Sequence, residues 1–261
     1  MRFCEMTRPE LNESSKKAVV VLPLGSTEQH GLHLPVDTDA RIAEALCQEL
    51  ERRLTDEVLL TPVFWLGHSP HHLDFGGTLS LNYDVYSRVL VEVMECFRRM
   101  GYQKFLMVNG HGGNGMPMGI VQQEMKLRAP EIQLFGCNYW EMAREEILNM
   151  REGGKYAMGH ACELETSLYL YLKEDGVRKD KIRDAGTVNE SGYFGMGMFN
   201  GGPVSYLANF KEFTDTGAFG KPSKASVEKG ERIFGAVSNG LERFVRYIYE
   251  IEKIYEKEKG K

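Results

Sequence analysis

Between Gly25 and Asp39 the chain reads GSTEQHGLHLPVDTD, which gathers Glu28, His30, His33, Asp37 and Asp39 into one short stretch. Carboxylates and imidazoles this close together can cap helix amides, exchange protons or hold a divalent cation. Glu28 and His30 are two residues apart, so on an extended segment they project to the same side and can hold one ion each. Asp39, at the start of a helical pattern, is placed to bridge both ions. Capping is the competing use of Asp37 and Asp39. This segment alone does not decide between them, because short motifs match by chance.

Two further clusters tilt the balance toward metal. NGHGGN, from Asn109 to Asn114, sets His111 among glycines that permit close approach of backbone to a ligand. It matches neither GxxxxGK[ST] nor GxGxxG, so a phosphate loop is the weaker reading. GHACELETS, from Gly159 to Ser167, carries His160, Glu163 and Glu165. Residues two apart on a helix face different ways, so one glutamate can enter a site while the other supports it. Both can instead simply favour the positive end of the helix. Imidazole nitrogen with carboxylate oxygen suits Zn, Mn or Fe at an open catalytic site better than a closed structural zinc site.

These clusters need elements to present them. The apolar run Ala18 to Leu24 predicts a strand buried on both faces, and Ile42, Leu46, Leu50 and Leu54 predict a helix beginning near Asp39. Val58 to Val63 reads as a second strand. Tyr86 to Met100 reads as a helix capped by Asp84 and stopped at Gly101. A strand at Phe105 to Val108, a helix from about Met118 to Leu127 and a strand at Ile132 to Cys137 follow. A helix at Glu163 to Leu172, a long loop at Gly192 to Gly202 and a closing helix from Lys224 to about Lys257 complete the chain. The loop reads as a lid, a subunit contact or a plain connection. Strands alternating with helices predict a largely parallel sheet covered on both faces, and clusters at its edge stand where open α/β sheets bind ligands. We read residues 1–261 as one domain.

Composition narrows the partners. A net charge of -5 provides no broad positive field for nucleic acid or an anionic membrane. No run of about 18 apolar residues and no signal-peptide pattern is present, which predicts a cytoplasmic protein. The five cysteines are scattered, without CxxC spacing, and read as reduced, mostly buried thiols. His68, His71 and His72 read as substrate contacts at a pocket rim, His72 above all, or more commonly as solvated loop histidines. Tyr139 and Trp140 read as core rather than pocket wall.

Taken together, the clusters resemble the creatininase (creatinine amidohydrolase) family: LPLGSTEQHGLHLPVDTD its first metal motif, NGHGGN its second and HACELETS its third. GGTLSL at Gly76 to Leu81 and TGAFGKPSKASVEKG at Thr216 to Gly230 also look like family segments. The resemblance implies a three-layer α/β/α sandwich and two divalent ions per subunit, Zn and/or Mn, with Fe as a further option. One ion would sit on Glu28 and His111, the other on His30, with Asp39 bridging. In creatininase the second ion takes a glutamate two residues after the second-motif histidine; here that residue is Gly113, and Glu163 is the expected replacement, with Glu165 the alternative. His160 matches the catalytic histidine, oriented or assisted by Glu165. The reaction implied is attack by a bridging hydroxide on a cyclic amide or related small carbonyl compound, His160 protonating the leaving nitrogen. A formamide or cyclic ketone substrate, or a non-catalytic metal-binding relative, are the alternatives. The family's aromatic after the second-motif histidine is Gly112 here, and its tryptophan four positions before the catalytic histidine is Tyr156. These positions join His72 as expected substrate contacts, and their change disfavours creatinine itself. The resemblance also implies a homo-oligomer, commonly a hexamer.

Overall fold

A computed structural model describes residues 1–188, 190–252 and 254. In chain order the elements are α1 (Arg8–Glu13), β1 (Val19–Leu24), α2 (Thr38–Arg53), β2 (Val58–Leu60), α3 (Tyr83–Arg99), β3 (Lys104–Asn109), α4 (Gly115–Arg128), β4 (Gln133–Asn138), α5 (Arg144–Met150), β5 (Met158–His160), α6 (Glu163–Lys173), β6 (Phe219–Gly220) and α7 (Val227–Glu250). Four strands form a wholly parallel sheet in the order β2-β1-β3-β4.

The period of the strands divides the core in two. Val19 and Val21 of β1, with Leu106 and Val108 of β3, pack under α2, α6 and α7 through Leu46, Leu50, Leu168, Val237 and Leu241. Val20 and Leu22 of β1, with Phe105 and Met107 of β3, face the opposite way, onto Leu90 and Met94 of α3 and Val121 and Met125 of α4. Helices thus cover both faces, as a parallel sheet requires. The α/β/α sandwich is the architecture. Fully burying each such aliphatic side chain contributes about 1.5–3 kcal/mol, and both layers depend on β1 and β3, which end at the first two motifs.

Several predicted boundaries move for local reasons. The second strand stops at Leu60 instead of reaching Val63, because Pro62 has no N–H for the ladder. Asn82, not Asp84, occupies the cap of α3, and Asp84 lies in the first turn. The closing helix starts at Val227, where Ser226 Oγ accepts from Lys229 N at 3.1 Å. It ends at Glu250; residues 253 and 255–257 of the predicted run lie outside the described residues. Cys4 and Cys96 are exposed, so the thiols are not mostly buried. Among the described residues no helix is long and apolar enough to cross a membrane.

Candidate metal centre

Glu28 and His30 follow β1, Asp39 opens α2, His111 follows β3, and His160 and Glu165 flank the junction of β5 and α6. All six are buried. The sheet ends and the helix starts bring Glu28, Asp39, His111, His160 and Glu165 to one cavity of about 320 Å³, and His30 stands beside Asp39. His111 Nδ1 lies 3.0 Å from Glu28 Oε2 and 3.2 Å from Asp39 Oδ2. His30 Nε2 lies 3.0 Å from Asp39 Oδ1 and 4.0 Å from Glu165 Oε1. Among the described residues three groups could each hold an ion, Glu28 with Asp39 and His111, His30 with His160 and Glu165, and Glu28 with His72 and His160; Asp39 stands between the first two, one oxygen near His111 and the other near His30.

The donors are left bare for a cation. Both Glu28 oxygens, His30 Nε2 and Asp39 Oδ2 are buried without a hydrogen-bond partner among the described residues, a costly state for a polar atom unless a ligand satisfies it. The opposite nitrogens are committed. His30 Nδ1 donates to the Glu28 carbonyl at 3.1 Å, and His111 Nε2 donates to the His68 carbonyl at 3.1 Å with Ser69 Oγ equally near. Such partners fix the ring orientation and tautomer of a ligating histidine. The residues fit a metal centre with nitrogen and oxygen ligands.

Electrostatics follow from the same crowding. Burial works against charge on His30, but Asp39 and then Glu165 outweigh it and push the imidazole up to about 10. Burial likewise opposes charge on His111, yet Glu28 and Asp39 raise it well above its usual value. Burial pushes Glu165 up to about 7 despite His30 nearby. His160 is held well below the ordinary histidine value by burial and by His30, and His72 by burial and His160.

Each predicted site residue can now be placed. Glu28, His30, Asp39, His111, His160 and Glu165 converge, and His72 and Gly112 line the cavity. Glu163 does not converge. Its Oε1 accepts from Glu152 N at 2.9 Å and Lys229 Nζ at 2.5 Å, and its Oε2 accepts from Gly153 N at 3.0 Å. That carboxylate is spent on the fold, and the alternative, Glu165, faces the site. Tyr156 is also misplaced by the sequence reading. It lines a separate cavity with Asp184, Phe219 and Lys221, its ring 5.1 Å from Lys155 Nζ. His71 and His72 are cavity walls, not solvated loop residues, and Trp140 lines the cavity while Tyr139 stays in the core.

Several contributors escaped sequence reasoning. Phe210 stands against His72 with ring centroids 4.0 Å apart and against His160 at 4.9 Å. Gly197 and Met198 bring the predicted long loop over the same cavity. Asn109 and Asn114 pin the NGHGGN turn: Asn109 Oδ1 accepts from His111 N and Asn114 Nδ2, each at 3.1 Å, and Asn114 Nδ2 also reaches the Gly25 carbonyl at 3.0 Å. Their place at both ends of the glycine run was the available signal. Gly113 has no such latitude, since a Cβ there would overlap the His68 carbonyl and His111 Nε2.

Comparison with known proteins identifies the family. The mycofactocin precursor peptide peptidase of Mycobacterium tuberculosis is 32% identical over 88% of this chain and 85% of that protein. The 3-dehydro-scyllo-inosose hydrolase of Thermotoga maritima is 27% identical over 95% of this chain and 83% of that protein. A solved structure described as "Creatininase Mn" superposes with a TM-score of 0.80 at 22% identity, covering 96% of this chain and 99% of that one, a likeness of fold. The family model Creatininase, described as creatinine amidohydrolase, matches residues 4–245. With that match running through all three motifs and both sides of the sheet, the chain belongs to the creatininase family.

Proposed function

We propose that this chain is a metal-dependent hydrolase that cleaves a C–N bond in a small carbonyl substrate, a cyclic amide being the favoured class. The observation that carries this reading is the division of Asp39, one oxygen 3.0 Å from His30 Nε2 and the other 3.2 Å from His111 Nδ1. A carboxylate so shared is arranged to bridge two cations. Glu28, Asp39 and His111 would hold one ion, and His30, Asp39 and Glu165 the other. Two such ions supply an acidified water and a polarised carbonyl.

The remaining chemistry belongs to side chains. His160 Nε2 donates to the Gln29 carbonyl at 2.8 Å, which leaves Nδ1 toward Glu28 and the cavity. Held neutral by its surroundings, His160 can take a proton at Nδ1 and return it to the departing nitrogen. His71, Trp140 and Phe210 give the cavity flat aromatic walls, and Gly112 leaves room between them. Among the described residues lining it there is no lysine or arginine, so positive charge offered to a substrate would come from the ions themselves. The two curated relatives, a peptide peptidase and an inosose hydrolase, share hydrolysis but not substrate. They support the reaction class more strongly than any one compound.

The test is turnover of lactams, cyclic ureides, formamides and cyclic ketones with and without chelator. Ring opening of a lactam or ureide that chelator abolishes and Zn or Mn restores supports the proposal. Turnover confined to cyclic ketones or formamides would move the substrate class, and none with any metal would leave a non-catalytic relative.

A further inference from the structure

Gln29 touches two cavity histidines that stand outside the Asp39 bridge, His72 and His160, and its neighbours leave its hydrogen bonds no freedom. The side chain is buried. Its Oε1 accepts from Gly31 N–H at 3.0 Å, so the other end is the amide nitrogen, which donates to the Gly217 carbonyl at 2.9 Å. One amide hydrogen remains. Two ring nitrogens are within reach of it, His72 Nδ1 at 2.8 Å and His160 Nε2 at 3.2 Å.

The backbone decides which of them receives it. His160 Nε2 lies 2.8 Å from the carbonyl oxygen of Gln29, and two bare acceptors at that separation repel. His160 Nε2 therefore carries hydrogen and donates to the carbonyl, and a protonated ring nitrogen cannot also accept. The second amide hydrogen goes to His72 Nδ1, which must be bare. In neutral His72 the proton is then on Nε2, facing Glu28 Oε1 at 3.3 Å. Gly217 preserves the arrangement: it has φ +81°, and a Cβ there would overlap Gln29 Oε1.

We propose that Gln29 is a positioning residue whose side chain and carbonyl select the Nε2–H tautomers of His72 and His160. His72 thereby turns a protonated nitrogen toward Glu28 and is not a metal ligand, although its ring nitrogen lies close enough to Glu28 and His160 to share an ion with them. His160 is left with its lone pair at Nδ1. The consequence for turnover rests on the hydrolase reading above; the tautomers do not.

Long-range proton–nitrogen spectra of protein labelled with 15N-histidine test this directly, since the chain has seven histidines and His72→Gln and His160→Gln assign the two that matter. Both rings should show a bare Nδ1 and a protonated Nε2 in metal-free wild type. In Gln29→Glu, whose carboxylate when ionised can only accept, the His72 proton should move to Nδ1 while His160 keeps Nε2–H on the backbone carbonyl. Gln29→Met, similar in size and without polar atoms, should leave His72 in a mixture of tautomers. In both variants kcat should fall by about 10- to 100-fold, with KM and metal content little changed. Protonation of His72 at Nδ1 in wild type overturns the assignment, as does an unshifted His72 tautomer in both variants. If neither variant folds, the wild-type spectrum alone decides. Correct tautomers in a protein that neither binds metal nor turns over would sink the hydrolase reading and leave this one standing.

Discussion

At the scale of single residues, the site is a contest for charge that each side chain settles through its neighbours. Glu163 and Glu165 show why the sequence was legible only in part. Their spacing says that they face different ways, but not which one faces the ions. The answer lies at Lys229, 66 positions from Glu163 along the chain, whose ammonium claims that carboxylate in the interior. We predict that Glu165→Gln lowers bound metal to about one ion per chain and abolishes turnover, whereas Glu163→Gln keeps the metal. Removing one partner of a buried ion pair costs roughly 3 kcal/mol, so Glu163→Gln should lose about 6–12 °C in Tm by thermal melting. The converse results would return Glu163 to the site. A second pair separates binding from proton transfer. His111→Ala should lose metal and activity together, while His160→Ala should keep its metal and lose at least about 100-fold in kcat. Metal loss in His160→Ala would make that residue a ligand.

At the scale of elements, the three motifs were readable because each contains its own candidate ligands and each follows a strand or opens a helix. Valine-rich β1 and the apolar stripe of α2 announced that boundary without any knowledge of partners. The walls were not readable: Phe210 belongs to a short turn with no periodicity, and Tyr156 lies only four residues from His160 yet lines a different cavity. The junction of β5 and α6 holds one more feature that no pattern announces. Ala161, between His160 and the cap of α6, has φ +48° and is fully buried. A left-handed alanine costs roughly 1–2 kcal/mol, and such strain persists only where surrounding structure enforces it. Ala161→Gly removes the strain but adds about 0.4–1 kcal/mol of unfolded-state entropy. The net expectation is a stabilisation of about 0.5 kcal/mol, or roughly 1–2 °C in Tm, with activity retained. Ala161→Val should lower Tm and kcat together, since a β-branched residue is a genuine outlier there. A Tm of Ala161→Gly about 1–4 °C below wild type, with Ala161→Val unchanged, would show that this backbone is unstrained.

At the scale of the whole molecule, the fold holds buried carboxylates together that would repel one another without a compensating positive charge. Metal-free, the site balances its carboxylates with protons on His30, raised to about 10, and on His111, raised well above the usual value. A histidine raised on folding stabilises the folded state fully below its unfolded value, near 6.5, and that contribution is lost as pH rises through the folded one. The metal-free protein should therefore lose Tm between about pH 7 and 10. The metal-loaded protein should not, because ions displace those protons and take over their role. A metal-free Tm that is flat over this range would remove the histidinium–carboxylate pairs from the account. The central claim is tested most directly by metal content: the protein is purified without added metal, reconstituted with Zn or Mn, and counted by inductively coupled plasma mass spectrometry. The shared Asp39 predicts about two ions per chain. Binding of none, or saturation at a single ion, would contradict a bridged two-ion centre.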